Sequence, residues 1–158
     1  MSLPFPEIVK LIDEARFSEL IGEPESNFLD AKSQPYQFES GNDAKREFAK
    51  DVSAFANSRG GFILVGLATE RSSVRATEQI SELRAIPQGI FDPDQHLKIL
   101  SEWLYPIPKN VSVRWVPCGT DVGKGVGVIF IPNQDESLKP VLITKTLTDR
   151  KTTDITLG

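Results

Sequence analysis

The sequence predicts an α/β (α+β) protein, a mixed β-sheet flanked by about three main helices. Three segments carry apolar residues at helical spacing, near 5–20, 43–57 and 93–105. Shorter apolar runs lie between and after them, near 27–32, 62–67, 111–117, 125–131 and 140–145, giving the order α-β-α-β-α-β-β-β. A composition 39% hydrophobic and 25% charged over 158 residues supports a real core.

The first helix follows from Ile8, Leu11, Ile12 and Ala15, with Gly22 and Pro24 as its expected stop. In the extended run Asn27–Lys32, a period of two puts Phe28, Asp30 and Lys32 on one face and Leu29 and Ala31 on the other. The loop at 33–42 contains Pro35, Ser40, Gly41 and Asn42. Phe48, Val52, Phe55 and Ala56 form the stripe of the second helix, while Lys45, Arg46 and Lys50 are expected elsewhere on it, open to solvent or a ligand. Gly60 and Gly61 end that helix, and Phe62–Leu67 reads as a buried strand. The polar stretch 68–91 is the hardest to assign, with a short helix expected at 76–84. Asp92-Pro93 is a helix start, continued by Leu97, Leu100 and Leu104. Residues 119–124 (GTDVGK) read as the loop of a hairpin between two of the last three strands. The expected division is an N-terminal helix, 1–21, and a domain, 22–158, in one globular unit.

Composition excludes several function classes. No apolar run approaches the roughly 20 residues of a membrane span. The acidic opening, with Glu7, Asp13 and Glu14, reads as neither signal nor transit peptide. Cys118 is the sole cysteine, which fits a reducing cytoplasm, and His96 is the sole histidine, so one chain cannot build a zinc site or a Cys/His nucleophile pair. Both are expected to be ordinary structural residues. GTDVGKG at 119–125 is too short for a phosphate loop, and Gly123, Gly125 and Gly127 lack the spacing and the following helix of a dinucleotide fingerprint.

The net charge of −4 is unevenly distributed. Residues 1–43 hold three basic and nine acidic side chains, whereas 44–84 hold seven basic and five acidic. The basic excess brackets the stretch Ala54-Phe55-Ala56-Asn57-Ser58-Arg59-Gly60-Gly61, a hint of an anion-facing surface. The plainer reading is a solvated helix face with mixed charges.

That stretch, together with Glu25, Asp30 and Lys32 and the strand Phe62–Leu67, resembles the Schlafen/AlbA_2 domain family over about 22–145. The resemblance implies a mixed α/β nucleic-acid-binding domain, DNA or RNA, which in many members is the front part of a longer chain. In some members three carboxylates make a metal-dependent ribonuclease. Carried over, these would be Glu25 and Asp30 as catalytic and metal-holding acids with Mg²⁺ or Mn²⁺. The third acidic position holds Ala68, and Glu70, two residues on in the same strand phase, is the substitute. The expected nucleic-acid contacts are Lys32, Lys45, Arg46, Lys50, Asn57, Ser58 and Arg59, made to phosphates with low sequence specificity.

Each residue also has a plain structural reading. Glu25, Asp30 and Lys32 would be a salt-bridged sheet edge, Asn57 and Ser58 would close helix carbonyls or the turn, and the glycines would turn the corner. Three functions therefore stand open: a nucleic-acid-binding module, a metal-dependent ribonuclease, and a protein-interaction or dimerisation domain using the acidic first helix. A homo-oligomer is compatible with each.

Overall fold

The computed structural model describes residues 2–74 and 76–145 and the backbone of 156–157. It is an α+β fold with three α-helices among the described residues: α1 (Phe5–Asp13), α2 (Asn42–Ala56) and α3 (Pro93–Trp103). The strands in chain order are β1 (Leu29–Lys32), β2 (Gly61–Val65), β3 (Leu67–Arg71), β4 (Glu78–Leu83), β5 (Ile86–Pro87), β6 (Leu104–Tyr105), β7 (Ser112–Pro117), β8 (Lys124–Ile131), β9 (Leu142–Ile143) and β10 (Thr156–Leu157). No helix among the described residues is long and apolar enough to cross a membrane. The chain divides into two units, one of Met1–Pro35, Phe62–Asp92 and Arg114–Ile129, the other of Tyr36–Gly61, Pro93–Val113 and Phe130–Gly158.

The first unit carries the mixed sheet, in the order β1-β2-β8-β5 with β7 also on β8. β1 and β2 are parallel, Asp30 opposite Ile63 and Lys32 opposite Val65, whereas β5 and β8 are antiparallel. All five positions of β2 are buried, as expected of a strand without a solvent face. Gly127 lets the Phe91 ring lie on β8, since a Cβ there would come within 2.5 Å of it.

Helix α1 stops at Asp13, well short of residue 20. Ala15 adopts φ 57°, Arg16 N–H donates to the Leu11 carbonyl at 2.8 Å, and Ala15 N–H donates to Ile12 at 3.0 Å. This is a Schellman ending with alanine where glycine is usual, followed by a 3₁₀ turn at Phe17–Leu20. The apolar periodicity survives the break, with Ile8, Leu11, Ile12, Phe17 and Leu20 all buried.

The apolar run after α2 is likewise two strands. Gly66, at φ 119°, separates β2 from β3, which pairs antiparallel with β4 in its own two-stranded sheet. Residues 76–84, expected as a short helix, therefore hold a strand. Their Glu, Gln and Leu favour helix locally, but backbone pairing overrides that preference. Besides the β3 ladder, Ile80 N–H donates to the Glu23 carbonyl at 2.8 Å and Gly22 N–H donates to the Ile80 carbonyl at 2.7 Å.

The second unit is built on α2, α3 and the sheet β10-β9-β6. The expected α2 stripe is buried, joined by Ala49 and Ser53. In α3 the buried residues are His96, Ile99, Leu100 and Trp103, so the stripe runs one position off the expected one and Leu97 is exposed. His96 is a core residue, its ring 4.9 Å from Phe38 and 5.1 Å from Phe48, both near edge-on. The last expected strand, 140–145, shortens to Leu142–Ile143, paired with β6 on one side and β10 on the other.

Candidate functional site

In the first unit, alternation along β1 brings Asp30 and Lys32 to one face, as the sequence pattern implies. The Lys32 ammonium lies 3.6 Å from Asp30 Oδ2, with about a quarter of each side chain exposed. Glu25 arrives from the preceding loop, its N–H donating to the Glu78 carbonyl at 2.9 Å. Its Oε2 accepts from the Ala31 N–H at 3.0 Å. Glu25 thus caps a backbone donor of a strand that pairs with β2 alone among the sheet's strands.

The Asp30 carboxyl is pushed up to about 7, chiefly by burial and then by its hydrogen bond to Glu25, against the pull of the Lys32 charge. Near neutral pH the Asp30 carboxyl therefore still holds a proton part of the time, hydrogen-bonded to Glu25. Glu70 does not join them. It stands exposed on β3, paired with Gln79 in the two-stranded sheet, and the β3–β4 register shifts between Ala68 and Thr69. Ala68 itself is buried at 5% exposure.

A hard dication needs several oxygen donors with unshared negative charge. Among the described residues no three of His, Cys, Asp and Glu gather into a group able to hold a metal ion. Glu25 and Asp30 are the two carboxyls that the site brings together, and a hydrogen bond joins them.

In the second unit, Lys45 lies in line with Ala49, Val52 and Ala56 on the inner face of α2 and is half-buried, as is Arg46. Lys50 and Arg59 are exposed. None of these four cations forms an ion pair or side-chain hydrogen bond among the described residues. Asp43, Glu47 and Asp51 recur every fourth residue along the same helix, so its surface carries both signs. Asp51 is engaged, accepting from the Tyr36 hydroxyl at 2.6 Å. Arg59 follows the C-terminus of α2, where a cation is favoured by the helix dipole.

The corner after α2 is a clamp. Asn57 Nδ2 donates to the Val141 carbonyl at 3.0 Å, and its Oδ1 accepts from the Val141 N–H at 2.6 Å. The Ser58 carbonyl accepts from Lys139 Nζ at 2.7 Å. At Gly60, φ 81°, a Cβ would meet the Ile131 carbonyl oxygen at 2.3 Å and the Asn133 nitrogen at 2.8 Å. The glycine turns the corner and lets backbone pass against it. Asn57 closes on a distant strand-end residue, not on the carbonyls of its own helix, a role with no signature in local sequence.

Sequence reasoning passed over Gln134 and the cleft beside it. Gln134 is 5% exposed, its Oε1 accepting from Lys109 N–H at 2.9 Å and its Nε2 donating to the Lys109 carbonyl at 3.1 Å and the Pro132 carbonyl at 2.9 Å. A polar residue just after an apolar strand is its one trace in the sequence.

No curated protein matches the chain at a significant level. Among solved structures it is similar to the N-terminal domain, determined by solution NMR, of a Nitrosomonas europaea protein described as related to the ATP-dependent DNA helicase RecG. The two share 22% identity over 94% of this chain and 87% of that one, with a TM-score of 0.48. Residues 25–141 match the family described as Schlafen, AlbA_2, a span holding Glu25, Asp30, Lys32 and the whole Ala54–Gly61 stretch. With that match running over well more than half its length, the chain belongs to the Schlafen, AlbA_2 family.

Proposed function

We propose that this chain is a nucleic-acid-binding domain, DNA being the first ligand to test, that holds the phosphate backbone with low sequence specificity. The observation that carries the reading is the set of four cations on α2 and its C-terminal turn, Lys45, Arg46, Lys50 and Arg59, none engaged in an ion pair among the described residues. Unpaired cations keep their full attraction for phosphates, and each phosphate neutralised releases condensed counterions. Membership of the Schlafen, AlbA_2 family supports the same reading. Lys32 contributes less, because Asp30 stands 3.6 Å from its ammonium.

The test is fluorescence anisotropy with labelled duplex DNA and single-stranded RNA at 50 and 200 mM salt. Four phosphate contacts give a log–log slope of about −3.6, an affinity loss of about 150-fold across that range. Lys50→Glu and Arg59→Glu, both at exposed positions, should each weaken binding and reduce the slope by about one. Absence of binding at 50 mM salt overturns the reading.

A further inference from the structure

In the second unit a cleft of about 310 Å³ opens between the turn at Lys109-Asn110 and the segment Pro132–Leu138. That size is at the lower end of small-molecule sites. Its two walls are tied together by the buried Gln134 amide, which takes both backbone groups of Lys109 and the Pro132 carbonyl. The walls are therefore fixed before any ligand arrives.

The lining has a particular chemistry. Asn110 and Asn133 are exposed, and each amide presents a donor beside an acceptor, the pattern carried by the edge of a nucleobase. Asp135 Oδ1 accepts from the Ser137 N–H at 3.1 Å and hydroxyl at 3.2 Å, which leaves Oδ2 as an acceptor for an exocyclic amine. Those Ser137 contacts, and then the charge of Lys109, hold the Asp135 carboxyl below its usual range, so it stays ionised. Pro132 and Leu138 are half-buried and supply apolar contact for a ring face. Lys109 is exposed at the rim and offers a cation to a phosphate on the same nucleotide.

We propose that this cleft binds a single unstacked nucleobase with its phosphate, the base read by Asn110, Asn133 and Asp135 and the phosphate held by Lys109. The inference deepens the reading of the chain as a nucleic-acid binder and rests on it. The nucleotide could be free or part of a strand, and the experiment separates the two.

Titration of the ¹⁵N-labelled chain with AMP, GMP, CMP and UMP, followed by NMR, reads the cleft directly. Saturable shifts at the Asn110 and Asn133 amides are expected. Asn133→Ala and Asn110→Gly should each weaken mononucleotide affinity about tenfold, the glycine keeping the φ of 62° at position 110 accessible. Lys109→Ala should weaken it by a similar factor, while Lys98→Ala, an exposed position on α3, should leave it unchanged. Inorganic phosphate alone serves as the control. If it binds as tightly as the mononucleotides, there is no base site and the proposal falls.

A fluorescent eight-nucleotide single strand and the same strand with one central abasic position form the second arm. Loss of affinity on removing the base, about tenfold and absent in Asn133→Ala, places a strand nucleotide in the cleft. Mononucleotide binding with no abasic effect supports the cleft with a free nucleotide as its ligand. Normal salt-dependent DNA binding, with no mononucleotide shifts and no effect of the two Asn variants, overturns the cleft proposal and leaves the proposed function standing. Absence of all binding overturns both.

Discussion

Asn57 holds Val141 by both of its backbone polar groups, donating at 3.0 Å to its carbonyl and accepting at 2.6 Å from its N–H, across 84 positions of sequence. A side-chain amide used this way replaces a missing stretch of β-ladder with a single residue. Asn57→Ala leaves both backbone groups of Val141 to find other partners, which should reduce stability by roughly 2 kcal/mol. Urea unfolding checks the magnitude. Because the amide is occupied, DNA affinity at a temperature where both proteins are folded should be unchanged. A large loss of affinity in a stably folded Asn57→Ala would make the amide a ligand contact instead.

Gly60 and Gly119 share a φ of 81°, but a Cβ at Gly60 would meet the Ile131 carbonyl oxygen at 2.3 Å and one at Gly119 would meet nothing within 4 Å. Comparison of the two alanine variants separates backbone strain from collision. Gly119→Ala should destabilise by about 1 kcal/mol, the left-handed penalty alone. Gly60→Ala should lose more than about 3 kcal/mol or fail to fold, since the clash is with main chain that cannot rotate away. Equal losses in thermal melts would show that the close approach at Gly60 relaxes freely.

The contrast between those two glycines also explains what was legible in the sequence. The α2 stripe, the all-buried β2 and the β7–β8 hairpin follow from short-range periodicity and turn chemistry, and they appear close to where expected. The face shared by Asp30 and Lys32 follows from alternation alone. The partners of Asn57, Gly60 and Gln134 lie on segments far away in the chain or in loops, where no period links them. Residues 76–84 misled because their local helix preference is weaker than the pairing that β3, Gly22 and Glu23 offer Ile80. The position of Glu70 was hard to read for a related reason. Counting by twos from Ala68 holds only while the ladder keeps its register, and the β3–β4 register shifts between Ala68 and Thr69.

Ala15 ends α1 in a conformation that favours glycine, at φ 57°. Both Schellman hydrogen bonds are in place, so replacement needs no rearrangement. Ala15→Gly should therefore stabilise the protein by roughly 0.5–1 kcal/mol, the relief of left-handed strain less the greater entropy of an unfolded glycine. Calorimetry reads this as a rise of a few degrees in Tm. A fall in Tm would mean that the methyl group contributes packing worth more than the strain.

The proton that Asp30 holds gives stability a pH dependence of definite sign. Burial first, and then the hydrogen bond to Glu25, raise the Asp30 carboxyl from 3.8 to about 7. Between those two values the folded chain holds a proton that the unfolded chain has released. The stability this confers is complete below the unfolded value and is lost as pH rises through 7, unlike that of a salt-bridged carboxylate. The full span is on the order of 2–4 kcal/mol. Asp30→Asn keeps a donor for Glu25 without a titrating group, so its stability should be nearly flat over the same range and exceed that of the parent at pH 8. Urea denaturation of both proteins at pH 5, 6, 7 and 8 tests this directly. Parallel curves for the two would show that Asp30 stays ionised beside Lys32.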